Sequence, residues 1–213
     1  MSLANGGPPG SGGVPRGSAP WLRWAAVSMV AGGCAMFVLD VGGLFASAAR
    51  VYFGLVNPAV GVVQILILFG CVGLWSDHAL GGSLLARTGL ALAILGLALL
   101  AVANLLSPFG ELWVFDAGAT VLVPLGFLLA GVAAIRHHVW HGWERCLPLV
   151  VGLLPVLVVF PTLALGNTSW TTSPWTQAGV GLWGLAFALL GWAEFREPPL
   201  EPVRVTERRR RRR

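Results

Sequence analysis

Two carboxylates lie within apolar stretches of this sequence, where a charged group is costly. Asp40 lies about six residues from the far end of the first apolar stretch, and Asp116 about five residues inside the fourth. A charge at the centre of a bilayer costs about 2.5 to 3.5 kcal/mol, so such residues usually face the interior of a helix bundle. There they bind ions or substrates, or they pair with other polar groups. The other polar residues near the same helix ends are Arg50, Asn57, Asn104 and Glu111, and Gln64 lies in the middle of the second apolar stretch.

These residues have two interpretations. In the first they line a polar pocket that opens to the outside and admits a substrate or an ion. In the second the carboxylates pair with Arg50 or reach interfacial water, and so hold the bundle together. We favour the second, because a depth of roughly 9 Å makes a charge less costly than at the bilayer centre. For Gln64 we expect a hydrogen bond to another helix. The candidate binding residues are Asp40, Arg50, Asn57, Gln64 and Asp116.

Three histidines form the run HHVWH after the fourth apolar stretch: His137, His138 and His141. On a helix, His137 and His141 would share a face at a spacing that can chelate a metal. The run lacks the glutamate of the HExxH metalloprotease motif, which supplies the general base. No histidine lies inside an apolar stretch, which also disfavours a haem between the spans. We therefore interpret the three as solvated loop histidines and expect no metal.

The sequence carries none of the common catalytic motifs. It contains no phosphate-binding glycine loop, no dinucleotide fingerprint and no GxSxG turn. Cys34, Cys71 and Cys146 lack the CxxC spacing of zinc and redox sites. We therefore expect no cofactor, and the sequence argues against an enzyme.

The elements that must position these residues are membrane helices. The chain is 56% hydrophobic and 11% charged, whereas about a quarter of the residues of a soluble domain are charged. Its apolar runs reach the roughly 20 residues that cross about 30 Å of hydrocarbon. The sequence therefore predicts an all-α, multi-pass membrane protein with six spans. They lie near 22–46, 52–75, 83–106, 111–135, 146–166 and 175–195.

Arginine placement predicts the orientation of these spans. Six spans put both termini on one side, and that side holds all of the 14 basic residues except Arg50. Positive residues concentrate on the cytoplasmic side of membrane proteins. We therefore expect a plasma-membrane protein with both termini in the cytoplasm.

One segment of the sequence is repeated. Residues 125–136, LGFLLAGVAAIR, match 185–196, LAFALLGWAEFR, at six positions, and each copy ends in an arginine. Arg23, Arg87 and Arg145 also stand at the starts of odd-numbered spans, at spacings of 64 and 58 residues. This pattern suggests three parallel helical hairpins of about 60 residues each.

The two ends of the chain are too polar and too rich in Gly and Pro to fold alone. We expect a disordered cytoplasmic tail at 1–20, a six-helix transmembrane domain at 21–196, and a disordered basic tail at 197–213 that binds anionic lipids through its arginines. The tail lacks the aromatic residues of a nucleic-acid binder. The leading functional hypothesis is a non-enzymatic accessory or scaffold protein that contacts copies of itself or another membrane protein. The alternative is a small transporter or small-molecule binder with the outward polar pocket.

Overall fold

The structure is a computed structural model, and it describes residues 20–43, 55–110, 113–138, 140, 142–162 and 174–196. Within these residues the fold is helical without strands, and six helices are long and apolar enough to cross a membrane. This confirms the predicted all-α, six-span class. Apart from Pro20, the predicted tails lie outside the described residues. The helices are α1 (Pro20–Gly43), α2 (Asn57–Ser76), α3 (Leu84–Leu106), α4 (Trp113–His137), α5 (Leu147–Leu154) and α6 (Pro174–Arg196).

The helix α5 changes its winding where a proline interrupts the hydrogen-bond ladder. Its α-helical part ends at Leu154, and a π-helical turn, Pro155–Val159, carries the chain on towards Thr162. Because proline has no N–H, the carbonyl oxygen of Val151 lacks its helical donor. Trp183 of α6 supplies the missing bond, since its Nε1 donates to Val151 O at 2.9 Å. The π-helical turn thus begins at a proline, and a neighbouring helix satisfies the freed carbonyl.

The six helices form a ring in chain order. Each helix packs on the next one along the chain, and α6 packs back on α1. Neighbours run antiparallel: Gly70 of α2 lies against Met29 of α1, whereas Gly73, one turn further on, lies against Ala25. The ring of helices encloses a core of apolar side chains.

Two of the seams between helices bring backbones into direct contact. Between α3 and α4, a Cβ added to Gly126 would lie 2.5 Å from both the nitrogen of Ala93 and the carbonyl oxygen of Gly89. Between α6 and α1, a Cβ added to Gly184 would lie 2.8 Å from the carbonyl oxygen of Gly33. Small residues allow this close approach, which drives helix association in membranes by van der Waals packing.

The two glycine seams are related by inverted topology: each helix of one seam corresponds to a helix of the other seam that runs in the opposite direction. A repeat of parallel hairpins would instead relate helices that run in the same direction. Gly33 of α1 meets the pair Gly184 and Ala188 of α6, just as Gly126 of α4 meets the pair Gly89 and Ala93 of α3. The helices α1 and α4 run in opposite directions, as do α3 and α6. This pattern groups α1–α3 against α4–α6, whereas the sequence repeat groups successive hairpins. The arrangement as three parallel hairpins therefore stays a prediction.

Three aromatic side chains fill the centre of the ring; we call Phe127, Trp183 and Phe187 the aromatic floor. Phe127 of α4 meets Phe187 of α6 edge to face, with ring centroids 5.4 Å apart. Trp183 lies one turn before Phe187, with centroids 5.3 Å apart. All three are buried. They link α4, α5 and α6 about halfway along α4 and α6.

Candidate functional site: the outer polar layer

Asp40 lies on the interior face of α1. It follows Met29 and Met36 at spacings of eleven and four residues, and these two methionines are buried in the core. The Asp40 side chain is itself only 3% exposed. Its Oδ2 atom is buried and accepts no hydrogen bond in the described part of the chain. Asp40 is therefore a buried carboxylate with one oxygen atom left without a partner.

The carboxylate lies against a glycine of α6. A Cβ built on Gly181 would lie 3.7 Å from the Cβ of Asp40 and 3.4 Å from the Cδ2 of Phe37, which are ordinary van der Waals distances. The seam at Gly33 and Gly184 is much tighter. The α1–α6 interface thus opens slightly at the level of Asp40, towards the helix ends opposite to Pro20 and Arg196. We call these the outer ends after the predicted orientation, and the ends near Pro20 and Arg196 the inner ends.

Gln64 of α2 lies in the same end of the interior and is 2% exposed. Its Oε1 accepts a hydrogen bond of 3.1 Å from Nδ2 of Asn104, and the same Nδ2 donates to Leu100 O at 3.0 Å. This bond joins α2 to α3 and confirms that Gln64 bonds to another helix. A role in ligand binding stays a prediction for Gln64.

Sequence reasoning missed two further polar residues of this end, Thr176 and Gln177 of α6. Both are buried, at 0% and 5% exposure. The Oγ1 of Thr176 donates to the Oγ1 of Thr162 at 3.1 Å, which joins α6 to the end of the α5 segment. They follow the predicted start of the sixth span directly, so they looked like interfacial residues. The missed signal was their spacing of seven residues from Trp183 and Gly184, which face the neighbouring helices.

These residues form one layer near the outer helix ends, and we call it the outer polar layer. Gly181, beside Asp40, lies seven residues after the start of α6, and Gln64 lies seven residues after the start of α2. Seven residues correspond to a depth of about 10 Å at 1.5 Å per residue. Trp183 and Phe187 lie deeper along α6, so the aromatic floor lies below this layer. Its members are Asp40, Gln64, Asn104, Thr162, Thr176 and Gln177.

The structure leaves part of the predicted site untested. Asn57 is the first residue of α2 and is half-buried. Asp116 belongs to α4, but the structure does not describe its side chain. Arg50 and Glu111 lie outside the described residues. Of the predicted set, the structure therefore places Asp40 and Gln64 in the buried layer, without a hydrogen bond between them among the described contacts.

The inner end of the bundle holds a second buried carboxylate, Glu194, which sequence reasoning also missed. Its Oε1 lies 3.1 Å from the position of a Cβ on Gly73, and its Oε2 is buried without a described partner. It interacts electrostatically with Asp77, which follows α2. Partial burial raises the pKa of the Asp77 carboxyl, and the neighbouring His78 opposes this shift. Glu194 was overlooked because it comes just before Arg196 and looked like part of a charged helix end.

The arginines at this inner end bond to rings rather than to carboxylates in the described part of the chain. Arg87 Nη2 donates to His78 Nε2 at 2.6 Å, and Arg145 Nη1 donates to His138 Nδ1 at 3.3 Å. Both histidines have a positive φ, 55° and 47°, directly after a helix. Arg196 lies over the ring of Trp192, 4.3 Å from its centroid. These contacts fix the helix ends at the membrane surface.

The described residues offer no group of three His, Cys, Asp or Glu side chains that would hold a metal ion. His141 of the HHVWH run lies outside them, and His138 bonds to Arg145.

Comparisons with known proteins add no assignment: no protein-family model, curated protein sequence or solved structure matches the chain. Its function is therefore inferred from its own residues.

Proposed function

We propose that this chain is a non-enzymatic, multi-pass protein of the plasma membrane that binds a small molecule or an ion in the outer polar layer. The observation that carries the proposal is the Oδ2 atom of Asp40, which is buried and has no described partner. A buried charge without a partner costs several kcal/mol. Residues that carry such a cost within a membrane usually mark a binding site or an ion path.

The composition of the layer supports binding over simple packing. Three helices contribute its buried polar residues, Asp40, Gln64, Thr176 and Gln177, and the half-buried Asn104 and Thr162 bond to two of them. The deeper interior is apolar and aromatic. Convergent polar groups at the end of an otherwise apolar interior are the usual pattern of a small-molecule site. The transporter form of this proposal needs a second conformation, because the α1–α6 seam is tight at Gly33 and Gly184.

The proposed orientation follows from charge. With the termini in the cytoplasm, the described arginines all lie at inner helix ends and the layer opens to the outside. A fluorescent reporter that matures only in the cytoplasm tests this when it is fused after Arg213. We expect a bright fusion, and a dark but full-length fusion would reverse the orientation.

Chemical labelling tests whether water and solutes reach the layer. In a background with Cys34→Ala and Cys146→Ser, Gly181→Cys should react with a membrane-impermeant maleimide added to intact cells. Gly42→Cys is the outer control and Gly82→Cys the inner one, since neither position has a neighbouring atom within 4 Å of its Cβ. Labelling at positions 42 and 181 but not at 82 is the expected result. A reactive position 42 beside an unreactive position 181 would contradict the proposal.

A second candidate is the accessory or scaffold role. The glycine seams favour it, because backbone contact between α1 and α6 and between α3 and α4 makes a bundle with little freedom to change shape. Under this hypothesis the lipid-facing helix surfaces contact a second copy or another membrane protein. Light scattering of the protein in detergent would then show a stable oligomer, whereas a monomer that binds a ligand favours the first proposal.

We also propose that the basic tail binds anionic lipid of the inner leaflet. Each arginine near such a surface contributes about 1 kcal/mol. Deletion of residues 208–213 should therefore weaken the binding of a tail peptide to phosphatidylserine vesicles and leave neutral vesicles unaffected. Equal binding of the long and short peptides would contradict this role.

A further inference from the structure

Resting on the proposed function, we infer that the ligand of the outer polar layer carries a single positive charge and binds at Asp40. The ligand is either an alkali-metal ion or a small molecule with a protonated amine. Three features of the layer lead to this class of ligand: its charge balance, the looser packing beside Asp40, and the nature of its other polar groups.

The charge balance is negative. Asp40 is an acid, whereas the other described members of the layer carry neutral amides and hydroxyls. The described arginines, at positions 23, 87, 136, 145 and 196, all lie at the opposite ends of their helices. The polar groups that could satisfy one another already do so, as in the bonds from Asn104 to Gln64 and from Thr176 to Thr162. No described residue of the layer supplies a positive charge to balance Asp40.

Asp40 borders the looser part of the α1–α6 seam. A Cβ added to Gly181 meets Asp40 and Phe37 only at ordinary van der Waals distances, and no described atom lies within 4 Å of a Cβ added to Gly42. Both positions lie on the outer side of the tight Gly33–Gly184 contact. Because Asp40 Oδ2 is itself buried, a cation has to move neighbouring side chains at the outer end to reach it, but it need not separate the Gly33–Gly184 contact.

The polar groups favour a monovalent ligand. Calcium takes six to eight oxygen ligands, several of them carboxylates, and zinc takes four ligands that include His or Cys. The described residues provide no such group. One carboxylate with neutral amide and hydroxyl oxygens suits one positive charge. The ring of Phe37, which borders Gly181, adds an aromatic surface of the kind that attracts ammonium groups.

The test is thermal unfolding of the purified full chain in lipid nanodiscs, with choice of cation as the variable. The series runs through lithium, sodium, potassium, ethylammonium and choline chloride at constant ionic strength, with N-methylglucamine as the bulky reference. Ligand binding to the folded state raises the melting temperature. We expect one cation to raise it by about 5 to 10 °C at a hundredfold excess over its Kd. A sodium or potassium response assigns an alkali ion, and an ethylammonium or choline response assigns an amine.

Two variants show where the cation binds. Asp40→Asn should abolish the cation response and melt at or above the wild-type temperature in the reference salt, because it removes an unpaired buried charge. Glu194→Gln is the matched control: it neutralises the other buried carboxylate with an unpartnered oxygen, at the opposite end of the bundle, and should keep the full response. A response that survives Asp40→Asn, or that Glu194→Gln abolishes, would overturn the inference.

A third variant tests whether the chain supplies the charge itself. Arg50 is the partner of Asp40 if three results coincide. No cation stabilises the wild type, Asp40→Asn and Arg50→Gln each lower the melting temperature, and the double variant melts no lower than either single variant. That result would overturn the inference of a cationic ligand. The labelling of Gly181→Cys would still decide separately whether the layer is open to the outside, so the two proposals fail in different ways.

Discussion

The two ends of this bundle treat their polar residues differently. At the outer end Asp40, Gln64, Thr176 and Gln177 are buried, and the Oδ2 of Asp40 has no described partner. At the inner end the arginines bond to His78, His138 and the Trp192 ring. Glu194 at that end also has a buried oxygen without a described partner, but it interacts electrostatically with Asp77, whereas no described charge acts on Asp40. This difference is the basis of the binding role proposed for the outer end.

The largest expected loss of stability follows from replacing Trp183 of the aromatic floor. Trp183→Ala should lower the free energy of unfolding by about 3 to 5 kcal/mol, because it opens a cavity and leaves the carbonyl of Val151 unbonded. Trp183→Phe keeps most of the volume and should cost about 1 to 3 kcal/mol for the lost hydrogen bond. Denaturant unfolding in detergent, followed by the remaining tryptophans, measures both. Equal stability of Trp183→Phe and wild type would show that Val151 O does not need this donor.

The next prediction compares a polar pair from each end. Asn104→Leu leaves the buried amide of Gln64 without its donor and should cost about 1 to 3 kcal/mol. The double variant Gln64→Leu with Asn104→Leu should recover much of this loss, since it removes both partners. Arg87→Ala removes the exposed bond to His78 and should cost about 1 kcal/mol or less. If the two single variants were equally destabilised, the contrast between a buried outer layer and an exposed inner surface would be wrong.

The smallest expected effect is a pH dependence at the inner end. Partial burial raises the pKa of the Asp77 carboxyl above its ordinary value of 3.8, so the folded state holds this proton more tightly than the unfolded state. Its contribution to stability therefore falls as pH rises from about 3.8 through the folded-state pKa. Asp77→Asn should remove this part of the pH dependence, a change of well under 1 kcal/mol because water still reaches much of the side chain. Unfolding curves of both proteins between pH 4 and 7 measure it, and parallel pH profiles would contradict the assignment.

Much of the fold followed from sequence because a bilayer leaves few alternatives. Apolar runs long enough to cross it must form helices, and the six spans end within a few residues of their predicted limits. The bond of Gln64 to another helix followed from the cost of an unpaired amide in lipid. The packing of α6 on α1, which closes the ring, could not be predicted from the sequence. That contact joins residues some 150 positions apart and depends on one glycine of each helix, Gly33 and Gly184. Gly33 and Gly184 resemble the many other glycines of the chain until their neighbours are known.

The candidate site was predictable only in part, for a related reason. Asp40 could be recognised because a carboxylate in an apolar run is rare. Thr176, Gln177 and Glu194 lie close to predicted helix ends, where polar residues are ordinary, and only the direction of each side chain makes them part of the interior. That direction depends on which face each helix turns to its neighbours. A boundary error of two residues is enough to hide it.

The central claim is that Asp40 binds something other than this chain, and a structure in lipid at a resolution that shows ions and ordered water tests it most directly. The account predicts density that does not belong to the protein within about 2.5 to 3.2 Å of Asp40 Oδ2, lost in Asp40→Asn and retained in Glu194→Gln. The guanidinium of Arg50 at that position, or a layer closed by side chains with no such density, would contradict it.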